Sequence, residues 1–388
     1  MDIKLIRKTW ITITISIALI IIIFLTWQNK NALVSKIQSE NKSVEQTKST
    51  ASNADKVAAN KPIPNIKKSL LNTTSDDKNS AQSSHYIAEC TDLDKLAINE
   101  SLNEIDNELL IDSDKFVEAL KQSTKLESEI AHALINNSVT ELQSLQEQNP
   151  NNKFISYNLI SACLTAKAEC EARLFADARS LDEQNGAVWF LSALNELKNS
   201  NTEKFTEFLI EASNAPIYEE YWRDYFSLFE SAYSHVGVGN SPQTQIATLG
   251  YIAAFSLPAY KPLVDFCESI ELERLEVLDA CSNIGQRFTS NSSNILSSYI
   301  GLAIQQKVAE RYNDDKRLVQ IEHTKHEYDK MMGLSGKAMS LTLQSRKRTS
   351  EWLQQYKSLG EFASTQYVIE EAIKLSADPD FDPCEFDW

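Results

Sequence analysis

The stretch from Ile217 to His235, IYEEYWRDYFSLFESAYSH, carries seven aromatic side chains. On a helical wheel Tyr218, Tyr221, Trp222, Tyr225, Phe226, Phe229 and Tyr233 fall within an arc of about 140°. Ala232 lies inside that arc and Leu228 just outside it. Glu219, Glu220, Arg223, Asp224, Ser227, Glu230 and Ser231 occupy the opposite side. A helix with one face in the core divides in this way, whereas a ligand-binding patch would set aromatics among polar residues. The stretch therefore predicts a helix packed between neighbouring helices. A phenol at the edge of the arc, such as Tyr221, can reach solvent and line a groove.

The same periodicity extends outward from residue 93. Phe205, Phe208, Leu209 and Ala212 recur at i, i+3, i+4 and i+7, after an Asn or Thr cap and before Pro216. Trp189, Ala193, Leu194 and Leu197 share a face in NGAVWFLSALNELKNS. The 388 residues contain only nine Gly and nine Pro, and no alternating apolar runs flanked by turn dipeptides. The expected class is all-α. SHVGVGNSPQ (234–243) and MMGLSGKAMS (331–340) are predicted helix breaks.

LFADARSLD, from Leu174, aligns with FLIEASNAP, from Phe208, at an offset of 34 residues, with Ala178 over Ala212. The preceding helices, FISYNLISACL and AVWFLSALNEL, align at 32 to 33. This period, and the segment DEQNGAVWFLSAL, resemble tetratricopeptide repeats. The resemblance covers about 150–235 and implies a degenerate, TPR-like α-solenoid of helical hairpins that binds protein. In it Trp189 fills the aromatic position of the first helix and Ala212 the small position of the second. Ser192-Ala193 stands where the family has Leu-Gly, and Glu196 where it has Tyr.

The first 27 residues differ. After Lys4, Arg7 and Lys8 comes TWITITISIALIIIIFLTW (Thr9 to Trp27), nineteen residues without a charge. At 1.5 Å per residue they span about 28 Å, close to a bilayer's hydrocarbon core, with Trp10 and Trp27 at the interfacial ends. An uncleaved transmembrane signal-anchor is expected. A cleaved signal peptide is the alternative, although FLTWQNKNALVSK holds no small-x-small site. Residues 28–85 are rich in Asn, Ser, Lys, Gln and Thr and lack aromatics, the composition of a disordered tether.

Net charge is −16, and from Tyr86 on there are 26 basic against 48 acidic residues. That balance argues against nucleic acid, which is bound through Lys and Arg, and against close docking on anionic lipid. All six cysteines (Cys90, Cys163, Cys170, Cys267, Cys281 and Cys384) follow the tether. In one continuous helix Cys163 and Cys170 would lie about 10.5 Å apart, too far to bridge. They pair only across a turn at LTAKAE, and Cys267 with Cys281 only across a turn near ESIELE. Each bridge would staple a helical hairpin. Cys90 and Cys384 are left, near the two ends of the folded part, and whether they pair with each other stays open at this point. Buried free thiols are the alternative, and zinc would want a C-x2–4-C spacing that is missing.

Disulfides predict an oxidising compartment. With anchor, tether and stapled hairpins, the chain resembles membrane-anchored envelope proteins of Gram-negative bacteria. That likeness implies a single pass through the bacterial inner membrane with the C-terminal part in the periplasm. The expected organisation is an anchor (1–27), a linker (28–85), a TPR-like region (86–235), a second helical region (236–376) and an acidic tail (377–388).

Chemistry is sparse. G-x-S-x-G and H-E-x-x-H are missing, and Gly336-Lys337 lacks the spacing of a phosphate loop. His323 and His326 share a helix face beside Glu322 and Glu327, but no third ligand is evident, so a solvated face is expected. The basic run SRKRTSEW (345–352) is expected to balance neighbouring acids, with binding of an acidic partner as the alternative. No catalytic, cofactor-binding or metal-binding residues emerge, and no cofactor is implied. The expected function is a non-catalytic, periplasm-facing scaffold for a protein or peptide partner or for envelope assembly. The alternatives are an enzyme acting on cell-wall glycan, which would need a carboxylate in a deep aromatic-lined cleft, and a protein secreted after cleavage of its N-terminal segment.

Overall fold

The computed structural model describes residues 86–90, 113–165, 170–237, 241–255, 260–291 and 294–385. The anchor and the tether lie outside the described residues. Within them are fifteen α-helices and no strand.

The first seven are α1 (Ser113–Gln122), α2 (Leu126–Ile135), α3 (Val139–Gln148), α4 (Lys153–Thr165), α5 (Ala172–Leu181), α6 (Gly186–Lys198) and α7 (Thr202–Asn214). Then come α8 (Trp222–His235), α9 (Pro242–Ala254), α10 (Lys261–Ser269) and α11 (Leu275–Asn291). The chain ends with α12 (Ile295–Tyr312), α13 (Asp315–Leu343), α14 (Arg346–Leu359) and α15 (Glu361–Ser376).

Short polar side chains start many of these helices by accepting from the first free backbone N–H groups. Asn201 caps α7 by accepting from Lys204 N, and Asn294, Asp314 and Ser345 cap α12, α13 and α14. Ser241 and Thr244 form a reciprocal capping box on α9, with Pro242 at the first helical position. That start, with Gly237 at φ +78° after α8, makes the expected break near 234–243.

Cys163–Cys170 and Cys267–Cys281 pair as their spacing allows, with Cα atoms 5.8 and 6.0 Å apart. The first ties α4 to the chain just before α5, and the second ties α10 to α11. Cys90 bonds Cys384, at a Cα separation of 5.0 Å. The N-terminal segment is held there also by Ala88 N, which donates to Ser376 Oγ at 2.8 Å, and by a Glu89–Lys337 ion pair.

The expected break at 331–340 does not occur, because α13 runs unbroken for 29 residues through Gly333 and Gly336. Ile321, Tyr328, Met331, Ala338 and Leu341 are buried at spacings of seven and three, so one apolar stripe continues across both glycines. A helical glycine costs about 1 kcal/mol, less than that packing contributes. A Cβ at either glycine meets open space. Gly333→Ala and Gly336→Ala should therefore each stabilise the protein by about 0.5–1 kcal/mol, read from urea midpoints.

Two main hydrophobic clusters form. The larger joins residues of α1–α6 and α8 with others of α13, α14 and α15. The second joins α6 and α7 with α10, α11 and α12. Packing is not confined to sequence neighbours: α8 lies against α2, and α7 against α11. Tyr218 packs against both clusters, so the chain between α7 and α8 lies at their seam.

Candidate functional site

The aromatic face read from residues 217–235 is buried from Tyr225 onward. Tyr225, Phe226, Leu228, Phe229, Ala232 and Tyr233 are buried, whereas Arg223, Asp224 and Ser227 are exposed. The helix, however, begins only at Trp222. Residues 217–221 form an irregular bend, so the wheel misplaces Tyr218, Glu219, Glu220 and Tyr221. Pro216 is the cause: it disfavours helix at the residue before it and ends α7 at Asn214.

This bend is fastened to the turn before α6. Gly186 N donates to Ile217 O at 2.8 Å, and Ile217 N to Gln184 O at 3.2 Å. Asn185 is fully buried and uses its whole amide. Its Nδ2 donates to Glu219 O and to Asp182 Oδ2, while its Oδ1 accepts from Glu219 N and Ala187 N. Arg287 of α11 donates to the carbonyls of Ser213 and Ala215 from the other side. Gly186 is required there, since a Cβ would stand 2.6 Å from Ala212 O.

Tyr221, the groove candidate, has φ +60°, a left-handed conformation uncommon for a residue with a side chain. Its hydroxyl donates to Asp182 Oδ2 at 2.6 Å and its N–H to Glu219 Oε1 at 2.8 Å. It is half-buried, and its phenol anchors the bend. Burial would raise the Asp182 carboxyl, but hydrogen bonds from Lys153, Tyr221 and Asn185 outweigh that and hold it below the usual range.

Between these anchors sits Glu220. Tyr157 of α4, Tyr218 of the bend, Tyr225 of α8 and Tyr260 at the start of α10 all lie within its electrostatic reach. Their rings form two connected groups. Phe154 contacts Tyr225 at 5.0 Å and Tyr221 at 6.0 Å, and Tyr157 contacts Tyr221 at 5.3 Å. On the other side Phe288 contacts Tyr218 at 5.6 Å and Tyr260 at 5.8 Å.

Tyr225 donates its hydroxyl to Asn158 Oδ1 at 2.6 Å. Tyr157 is buried, whereas Tyr218 and Glu220 are half-buried.

Burial, and then the neighbouring Glu219, push the Glu220 carboxyl up to about 7. From the ordinary value of 4.5 up to about 7, the folded chain keeps a proton that the unfolded chain has lost. This group's contribution to stability therefore declines as pH rises through that window. Glu220→Gln should flatten the dependence and stabilise the protein at pH 8 by about 1–2 kcal/mol, checked by urea unfolding at pH 5 and 8.

His323 and His326 do share a face of α13, with Val319 and Glu322, and line a shallow open groove. No group of three metal-ligating side chains occurs among the described residues. In the basic run, Arg348 donates Nε–H to Leu341 O and its guanidinium lies 6.0 Å from the Phe381 ring centroid. No helix among the described residues is long and apolar enough to cross a membrane. Compared with known proteins, the chain matches no family model, no curated protein and no solved structure.

Sequence reasoning missed Glu220, Tyr157, Tyr260 and Asp182 as members of one site. One signal was available. Asp182–Asn185 form the turn before α6, and adding the 34-residue offset lands on 216–219, so the internal period itself points to a turn there.

Proposed function

We propose that the protein is a helical-hairpin scaffold that binds a protein or peptide partner, with recognition centred on the bend at 217–221. In this reading Thr9 to Trp27 is its membrane anchor and the helical part faces the periplasm, where its three disulfides would persist. The observation that carries the reading is the bend itself. It is fastened by a fully buried asparagine and an arginine, and it holds Glu219 exposed and Glu220 only partly covered. Rigid presentation of polar groups is what binding sites require, since it lowers the ordering cost of association.

Crosslinking in membranes followed by pull-down of the full chain tests this. A defined protein partner should be captured by the parent and lost with Glu220→Gln. Capture of no partner would sink the reading.

A further inference from the structure

We propose that the crevice between α8, α9 and α14 is a second binding site, one that takes a single neutral sugar ring. It shares no residue with the bend at 217–221, so it stands independently of the partner reading.

The crevice is a cavity of about 280 Å³. One face of α14 supplies Ser350, Leu353, Gln354 and Lys357, at positions i, i+3, i+4 and i+7. Phe226 and Glu230, one turn apart on α8, line the other side, and Gln245 of α9 completes the wall. Phe226 and Leu353 are almost wholly buried and form an apolar floor, whereas Ser350 and Gln354 are exposed. The Phe226 ring lies 5.6 Å from Tyr356 and 5.9 Å from Trp222, so the floor is braced by two further rings.

Charge narrows the ligand first. Glu230 and Lys357 form an ion pair that joins α8 to α14. Among the described lining residues they are the two charged ones, and they cancel. A ligand of either sign would have to break the pair and leave the other partner's charge uncompensated, which is costly. A neutral ligand leaves the pair whole and can still reach its spare lone pairs and N–H groups.

Hydrogen bonding narrows it further. The Gln354 carboxamide both donates and accepts, and so does the Ser350 hydroxyl. Walls of this kind suit ligand groups that also do both. A hydroxyl does so, whereas a peptide N–H only donates and a peptide C=O only accepts. A ring of hydroxyls on an apolar carbon frame meets these walls and the Phe226–Leu353 floor together. Pockets for drug-sized ligands span about 300–1,000 Å³, so this cavity matches one ring and not a chain of them.

The test uses the full chain in micelles of a detergent without a sugar headgroup, followed by saturation-transfer NMR titrations. The probes are methyl β-glucoside, methyl N-acetyl-β-glucosaminide, the anion glucuronate, the cation glucosamine and the peptide analogue N-acetylglycine methylamide. At least one neutral glycoside should bind, and the two charged sugars should bind on the order of tenfold more weakly. Ser350→Phe fills the crevice from an exposed position, and Gln354→Leu removes the carboxamide. Each should weaken glycoside binding on the order of tenfold, with helical content and urea midpoint unchanged.

Failure of both neutral glycosides to bind, glycoside binding untouched by either variant, or binding of the peptide analogue alone overturns the inference. Partner capture should survive Ser350→Phe, because the bend is left intact.

Discussion

Replacing both Cys90 and Cys384 by serine should destabilise the helical part by about 4–5 kcal/mol. The bridge spans 294 residues of sequence, the longest loop of the three. Cross-linking distant residues removes conformational freedom from the unfolded chain, and the effect grows with the logarithm of loop length. By the same reasoning the short loops at Cys163–Cys170 and Cys267–Cys281 contribute about 2–3 kcal/mol each. Urea unfolding of the parent and the double variant under non-reducing conditions gives the comparison. A change under about 1 kcal/mol would show that the unfolded chain is already compact enough to make the crosslink redundant. The bridge also fixes where the chain enters. Ile87 is buried, and Ala88 and Glu89 contact α15 and α13, so the segment is held at the C-terminal helices even though it precedes α1.

Phe229→Ala should cost about 3–5 kcal/mol, the loss of a large ring from a core that cannot close over the space. Phe229 is fully buried. Its ring stacks on Tyr251 at 5.5 Å with an interplanar angle of 1°, and lies 6.2 Å from Phe255. Those neighbours are themselves rigid rings, so relaxation into the cavity is limited. Phe229→Leu should recover more than half of the loss. A cost below 1 kcal/mol for Phe229→Ala would mean that α8 is not held through this face. Neither variant touches Glu220, so partner capture at permissive temperature should survive both.

The helices themselves were legible because their signals are local. Periodicity at 3.6 residues, Asn201 before α7, and Pro242 after Ser241 each act within a turn or two of the chain. The cysteine pairs were legible for a related reason. A straight helix keeps residues seven apart too distant to bond, so Cys163 and Cys170 had to flank a turn. Two local readings failed where a remote contact outweighed a local preference. Gly333 and Gly336 suggested a break, but the buried stripe through Met331 and Ala338 carries α13 across them. The apolar phase of 217–235 suggested one helix, but Pro216 and the amide of Asn185 hold residues 217–221 in a bend.

By itself, then, the sequence determined the all-helical class and the buried face of α8, and it favoured the bridges Cys163–Cys170 and Cys267–Cys281 while leaving Cys90 and Cys384 open. Each follows from geometry over a few residues. Only the tertiary structure decided that Tyr157 and Tyr260, from different hydrophobic clusters, come within electrostatic range of Glu220. A carboxyl's proton affinity depends on which groups surround it and how much water they displace. Those neighbours come from α4, α8 and α10, more than a hundred residues of chain, and no local pattern encodes their convergence.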